Sequence, residues 1–599
     1  MPTGATTLTG AKTLTDVTML EALPLLERWA TPPFVFLAGA LLVLVLPGIL
    51  RAVAAILVPL AALVLLWNAP ASDDLFVELS NFQLSLARID GLSRPFGLVF
   101  CFAAAIAGLY AWTMRSRLQQ VATLLYAGSA LGAVFAGDLV TLFVWWEGTA
   151  LASVFLIWAR ATPAAYAAGM RYLVWQVSSG VALFAGTAIH IQLTGSTAFE
   201  TLALGTLEAT PGAWIILFAI AIKAGFPLLN GWLGDAYPAG TITGTVVMSI
   251  FTTKMAVYAL ARGFAGTDWL VWVGAAMALT PIVLALLEDD LRRILAYALN
   301  SQLGFMVVGI GIGTPHSIDG AVAHAMCSVL YQSLLFMGTG AVMLRAGTPR
   351  ASALLPAGGA VPSVARAMPL TFALVVVGAA SISSVPGLSG FVSKSVIVDE
   401  AAKAGLTFVW IALIAGAVGA VLHTGLRLPM ALLTRGGELR EAPVSMLLAM
   451  GVAAAASVVI GVAPGLLYGL LPFPLDYAPY TVSHFVSQFQ LLLFAGLGFA
   501  IAVAFGWIGA FRRATTLDGD WLFRGVVGPA FAFTGETIGV IYGEAARGAS
   551  RALGASQRAL LHLYGPQSRA GGVLATGNMA LWIAILLGAA LIANLLEIR

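Results

Sequence analysis

Five ionisable residues lie inside long apolar runs, and their types suit them to pass protons. Glu147 sits in Leu142–Ala150, Lys223 in Phe218–Pro227 and Lys254 in Ser249–Tyr258. His324 opens the run His-Ala-Met-Cys, and Lys394 follows Pro386-Gly-Leu-Ser-Gly-Phe-Val-Ser. A charge at the centre of a membrane helix costs about 2.5–3.5 kcal/mol on insertion scales, so such residues face internal cavities and mark ion paths. A desolvated lysine releases its proton more readily, and a buried carboxylic acid holds its own more tightly. A nearby opposite charge reverses both trends. A Glu147–Lys223 pair that moves or hydrates would therefore switch Lys223 between holding and releasing a proton. Each residue also has a plainer reading. Glu147 and Lys223 can be a static ion pair locking two helices, His324 a neutral core histidine, and Lys394 a side chain snorkelling to the outer interface. Lys254 has no nearby helix end to reach.

Helix breakers accompany two of the lysines. Pro227 follows Lys223, with Gly231, Gly234 and Pro238 beyond; Pro386, Gly387 and Gly390 precede Lys394. Interrupted helices in corresponding halves of a chain point to an inverted-repeat transporter, and broken backbone at membrane depth is tolerated where it lines a cavity. The run Gly387–Ser395 lacks the glycine before its lysine and the preceding strand of a phosphate-binding loop, so it is not one. Cys101 and Cys327 are two isolated thiols, and the six histidines are scattered. No metal site, redox centre or cofactor is expected.

These residues must be positioned by membrane helices. Of 599 residues, 60% are hydrophobic and 10% charged, against about 25% charged in soluble domains. The sequence predicts an all-α polytopic membrane protein of about sixteen spans, from 33–50 to 577–598. Basic residues cluster after odd-numbered spans (Arg51, Arg115, Arg117, Arg160, Arg292, Arg293, Arg345, Arg350, Arg435 and Arg440). Asp73, Asp74, Glu200 and Glu208 follow even ones, with Arg262 and Lys403 as exceptions near helix ends. The positive-inside rule then puts the basic loops in the cytoplasm and both termini outside. Residues 1–32 read as an N-terminal surface segment, with no basic start of a cleaved signal. Residues 33–115 hold the first helices and an external β-hairpin at 72–92, where apolar and polar residues alternate. Residues 119–264 and 265–434 are the two expected repeats, and 443–511 form further core helices. Residues 512–576 read as a cytoplasmic, membrane-lying amphipathic segment or a long linker, and 577–599 as a last span. A net charge of +3 gives no reason to expect nucleic-acid binding.

The motifs carry a family resemblance. Lys223-Ala-Gly-Phe-Pro-Leu-Leu-Asn-Gly-Trp-Leu-Gly-Asp-Ala-Tyr-Pro238 resembles the pattern K-x-x-x-F-P-L-x-x-W-L-P-D-A. Thr252–Ala259, Pro386–Phe391 and Arg88–Ser93 follow the same family in order. The chain resembles the antiporter-like subunits of the Mrp antiporter and respiratory complex I superfamily, most of all the D-type subunit of Mrp-type Na+/H+ antiporters. The resemblance implies about fourteen core helices with two inverted five-helix repeats containing broken helices, plus extra C-terminal helices. It implies a charge axis in which Glu147 and Lys223 form the pair, Lys254 connects, and Lys394 is the exit-side lysine. It also implies other membrane subunits as partners, protons and Na+ as cargo, and a bacterial inner membrane. One departure is clear: the family's second histidine and lysine in the eleventh span are Ser328 and Gln332. With Tyr331 they can order a water wire, but they cannot carry the charge.

The leading expectation is thus a proton-translocating subunit of a cation/proton antiporter, a transporter component rather than an enzyme. Alternatives are a proton-pumping subunit of a complex I-like or hydrogenase-linked oxidoreductase, a partner in inorganic-carbon uptake, and a non-transporting scaffold.

Overall fold

The computed structural model describes residues 31–70, 73–79, 82–114, 116–202, 210–358, 361–507, 528–565 and 577–597. The surface segment expected at 1–32 falls almost wholly outside them. The order of the principal elements begins with α1 Pro32–Val45, α2 Gly48–Asn68, β1 Asp73–Leu79, β2 Phe82–Ile89, α3 Ser93–Tyr110, α4 Arg117–Phe135, α5 Leu139–Trp158 and α6 Pro163–Thr194. It continues with α7 Pro211–Ala224, α8 Gly231–Ala239, α9 Ile242–Ile250, α10 Thr252–Gly263, α11 Leu270–Leu287, α12 Leu291–Ile312 and α13 Pro315–Ala346. Next come α14 Pro369–Ile382, α15 Ser389–Lys403, α16 Thr407–Ala420 with a π-helical extension Val421–Arg427, α17 Leu428–Thr434, α18 Val444–Val462 and α19 Val482–Ala504. A separate unit, residues 521–599, holds the 37-residue helix α20 Gly528–Tyr564 and α21 Gly577–Glu597.

Each of the expected spans falls on an apolar helix. Twelve helices are long and apolar enough to cross a membrane, and four expected spans coincide with shorter apolar helices. Two of these four, α7 and α14, are short because the chain breaks where the Pro and Gly clusters lie. The expected span 239–263 is also divided, at Phe251, into α9 and α10. β1 and β2 pair antiparallel, from Asp73 opposite Ile89 to Leu79 opposite Phe82. Of the segment at 512–576, α20 is described and the remainder is not.

Local chemistry starts and stops these helices. Thr162, Thr210 and Thr314 each accept an N–H from the third residue of the helix they begin, and each is followed by proline. That is the favoured pairing of a hydroxyl N-cap with a first-turn residue that has no N–H to satisfy. The arrangement recurs in both halves. A 32-residue helix (α6, α13) precedes a 14-residue helix (α7, α14), a break and a further helix.

The connections gather at two ends. At one, the hairpin meets the loops after α4, α6, α10 and α12: Gly137 N–H donates to the Ser85 carbonyl, the Arg88 guanidinium to Phe199, Leu202 to Gly263 and Gly266 to Ile310. At the other, arginines join the odd-numbered connections: Arg160 to the Pro238 carbonyl, Arg171 to Asp235, Arg292 to Gly240, and Leu291 N–H to Pro349. The charge alternation read from the sequence is therefore matched by which loops meet. The apolar windows of α9–α10 and α12 are wholly buried, against 11% for α19, so the centre of the bundle lies at the former.

Candidate functional site

All five ionisable residues lie on or beside this centre, and the three breaks position them. α7 ends at Gly225, whose φ of +72° closes the helix in the left-handed region open to glycine. Lys223 is therefore in a last helical turn, where the helix dipole favours a cation. Its Nζ donates to the Trp146 carbonyl at 2.6 Å and the Thr149 hydroxyl at 2.8 Å, and lies 4.5 Å from the centre of the Trp146 ring. The carbonyl that the break exposes at Ile222 is taken by the Trp232 indole N–H at 2.9 Å.

Glu147 sits between the two residues that hold Lys223. The two charges interact, but no ion pair joins them, so the static pair that would lock two helices is not formed. The lysine reaches its own partners one residue before and two after the glutamate. Glu147 Oε1 is buried without a hydrogen-bond partner, and it fills the space left by the missing side chain of Gly180 on α6.

Lys254 lies just past the break at Phe251. Neither proline nor glycine makes that break. The Thr252 N–H, freed from the helix, donates to the Tyr126 hydroxyl at 3.1 Å, and the Met248 carbonyl accepts from the Tyr237 hydroxyl at 3.0 Å. The Tyr126 and Thr252 hydroxyls are also bonded to each other. Lys254 Nζ donates to the Ser249 carbonyl at 2.9 Å. Three side chains, one of them the lysine, satisfy the backbone groups that the interruption frees.

His324 is fully buried on α13. Its Nδ1 lies 3.0 Å from the Ser393 hydroxyl and its Nε2 3.5 Å from the Tyr331 hydroxyl. Ser393 precedes Lys394 on α15, so histidine and lysine are joined through neighbouring residues. Lys394 Nζ donates to the Ile382 carbonyl, the last of α14, at 3.0 Å and lies 4.9 Å from the Phe305 ring centre. Of the expected water-wire residues, Tyr331 reaches His324, whereas Ser328 bonds back to the Ala325 carbonyl of its own helix. Both polar atoms of the Gln332 amide are buried without a protein partner.

The expected hinges lie at the two breaks or at the ends of the helices they create. Pro227, Pro386 and Gly387 are in the gaps, Gly231 and Gly390 are within the first two residues of α8 and α15, and Pro238 is near the end of α8. Gly390 is also required by close approach, since a Cβ there would lie 1.8 Å from the Ser381 carbonyl oxygen.

Sequence reasoning missed several residues. The amides of Gln176, Asn300 and Gln302 are buried with no protein partner on either polar atom. Their signal was present, as amides within apolar spans. His423 lies buried in the π-helical segment, close enough to Lys394 for their charges to interact. Single-turn π segments are frequent at functional sites, but nothing in the local sequence announces this one.

Residues 136–420 match the family described as NADH:quinone oxidoreductase/Mrp antiporter, TM. Over this segment, just under half of its length, the chain is similar to the membrane subunits of that family. All five ionisable residues and all three breaks fall within the matched segment. The A/B component of a probable K(+)/H(+) antiporter of Rhizobium meliloti (strain 1021) is 30% identical over 347 residues, which is 54% of this chain and 34% of that protein. The A1 component of a Na(+)/H(+) antiporter of Staphylococcus aureus (strain MRSA252) is 27% identical over 468 residues, 70% of this chain and 57% of that one. The chain thus spans about a third to just over half the length of these curated relatives. Among solved structures, a chain of the Mrp complex from Dietzia sp. DQ12-45-1b superposes with a TM-score of 0.70 at 25% identity, over 92% of this chain and 63% of that one. A chain of respiratory complex I from Thermus thermophilus shares the fold at a TM-score of 0.64 and 20% identity, over 77% of this chain and 99% of that one. The two antiporter relatives are thus of the A and A/B types, not the D type that the motifs resemble.

Proposed function

We propose that this chain is the proton-translocating subunit of a multi-subunit monovalent cation (Na+)/proton antiporter, and that protons pass along Glu147, Lys223, Lys254, His324 and Lys394. One observation carries the reading. Lys223, Lys254 and Lys394 are each at most 3% exposed, and none is within ion-pair distance of a carboxylate among the described residues. Their amines rest on backbone carbonyls, a hydroxyl and ring faces. Structural lysines are not normally buried this way, because an unneutralised charge is costly. Groups that must gain and lose a proton need such surroundings, since a tight salt bridge would fix the charge.

The geometry supplies short steps. The partners of Lys223, Trp146 and Thr149, lie within one helical turn of Glu147 on α5, so rotation of either charged side chain is enough to bring them together. Between Lys254 and Lys394 the relay runs through His324, with Ser393 and Tyr331 on its two nitrogens. Gln302, Asn300 and Gln332 add unpartnered donors and acceptors on which water can be ordered. Of the expected repeats, 119–264 holds two of the breaks, with Lys223 and Lys254, and 265–434 holds the third, with Lys394. Because the motifs resemble the D type while the antiporter relatives are of the A and A/B types, the reading is drawn at the level of the translocating subunit. Other membrane subunits are its partners, in a bacterial inner membrane with the basic end facing the cytoplasm.

The test is Na+-driven collapse of a pH gradient in everted vesicles carrying the whole complex. Lys223→Ala and Lys394→Ala should each lower exchange by about 100-fold, the low end of losses for a positioned proton-transfer group. Wild-type exchange by either variant, at equal protein level, refutes the reading. A second reading is a pumping subunit of a respiratory oxidoreductase, favoured by the near-complete coverage of the complex I chain. It predicts copurification with flavin- or iron–sulfur-bearing subunits.

A further inference from the structure

A cavity of about 460 Å³ lies at the basic end, where α6 and α12 begin and α8 stops. Its size is in the range of small-molecule sites, roughly 300–1,000 Å³. Five arginines line it (Arg160, Arg171, Arg292, Arg293 and Arg350), with only two carboxylates, Asp235 and Asp290.

Both carboxylates are already engaged. Arg171 takes Asp235 through two bonds of 2.7 and 3.0 Å. Asp290 accepts the backbone N–H groups of Arg292 and Arg293 and so caps α12. Arg293 also reaches Glu288 at 3.3 Å. Arg160 and Arg292 have carbonyl partners instead: Arg160 donates to Pro238 and Ala239, Arg292 to Pro238 and Gly240. Carbonyls satisfy N–H groups but do not cancel charge. Arg292 is only 1% exposed, and its Nε is buried with no protein acceptor. The side chain of Arg350 makes no ion pair among the described residues and lies exposed at the rim. The cavity therefore holds a surplus of positive charge and a spare guanidinium N–H on a buried side chain.

We propose that this cavity binds a phosphate-bearing anion, the headgroup of an anionic phospholipid being its natural source. The guanidinium fork matches phosphate oxygens in pairs. The site lies where membrane helices end, next to the exposed first turn of α6, and basic pockets between such helices take acidic headgroups. Bound phosphate would join α6, α12 and the 348–353 segment to the end of α8. It would brace the half-helix that follows the first break.

Native mass spectrometry of the purified complex tests this directly, with phosphatidylglycerol, phosphatidylcholine and inorganic phosphate as probes. Retention of phosphatidylglycerol over phosphatidylcholine is expected. Its affinity should fall about thirty-fold in the rim double variant Arg171→Gln/Arg350→Gln, taking roughly a few-fold to tenfold for each basic residue near a charged membrane surface. Asp235→Asn should tighten binding, a gain that misfolding cannot imitate. Competition by inorganic phosphate would assign the site to free phosphate; its failure to compete would assign it to the lipid headgroup. Equal retention of the two lipids, or unchanged affinity in both variants, overturns the proposal. None of these readouts depends on transport.

Discussion

Gly180→Ala is the sharpest perturbation of the first half of the charge row. A Cβ at this position would lie 1.2 Å from Glu147 Oε1 and 2.3 Å from its Cδ. An ordinary carbon–oxygen contact is near 3.3 Å, so the carboxylate must retreat by about 2 Å. The obstacle is the far end of a flexible side chain, so the fold survives. Overpacking of this kind costs about 1–3 kcal/mol. On the proposed function transport should suffer more than stability, because displacing a reacting group by about 1 Å can cost on the order of 100-fold. Exchange in everted vesicles is therefore expected to fall at least tenfold, with the protein still inserted and assembled. The cycle with Glu147→Ala isolates the cause. In that background the space is vacated, and Gly180→Ala should change thermal stability in detergent by less than about 0.5 kcal/mol. If the alanine costs the same stability with and without Glu147, the methyl group is meeting something else. If exchange is untouched, the position of Glu147 does not matter.

Other expectations follow from the breaks and the hairpin end. Gly390→Ala would put a methyl group 1.8 Å from the Ser381 carbonyl oxygen, which is backbone and cannot swing away; a melting point lowered by several degrees is expected, and an unchanged one would mean that the second break is wrongly described. Tyr126→Phe leaves the Thr252 N–H without its acceptor, which costs about 1–3 kcal/mol and should raise amide exchange at Thr252; unchanged protection at that amide would count against the interrupted span. At the hairpin end, burial alone would push the Asp90 carboxyl up, but Arg262, 2.7 Å away, together with the Ser93 N–H and Arg88, holds it below its ordinary value of 3.8. Asp90 thus contributes stability that is present above about pH 4 and is lost as the pH falls through its lowered pKa. In Arg262→Gln the strongest opposing charge is gone, so the stability that Asp90 contributes above about pH 4 should shrink and the acid-side loss should flatten; parallel pH–melting curves for the two proteins would refute this.

The helices were legible because apolar length and loop charge are local properties. The first and last breaks were legible because Pro227, Pro386 and Gly387 leave no other course to the backbone. The middle break was not. Ser249–Tyr258 reads as uninterrupted helix, and Tyr126 and Tyr237, remote in sequence, hold it open. The row of ionisable residues could be named in advance, but not its bonding. Lys223 takes the Trp146 carbonyl and the Thr149 hydroxyl rather than the carboxylate between them, a choice of reach and rotamer that spacing does not encode. Gly180 was invisible for a similar reason. A glycine in a long helix reads as lost propensity, and its use is apparent only when the opposing side chain is seen.

The two lysine-bearing breaks differ in a way that bears on the thinner half of the row. At the first, Trp232 satisfies the exposed helix-end carbonyl of Ile222, and Lys223 reaches away from the break to its partners on α5. At the second, Lys394 itself satisfies the Ile382 carbonyl. An indole N–H is a donor whatever happens nearby. An ammonium that gives up its proton becomes a weaker donor, so the end of α14 is bonded most firmly when Lys394 is charged. The charge on Lys394 and the geometry of its break are therefore linked, whereas those of Lys223 are not. Ser328 and Gln332 remove fixed charge from the approach to Lys394, and Gly425 of the π-helical segment packs against Ser383 beside the same break. With fewer charges nearby, a change on Lys394 is felt less by competing ion pairs and more by the backbone it holds. On the proton-transfer reading, the half that looks depleted in sequence is the half in which movement of a proton can move the helix.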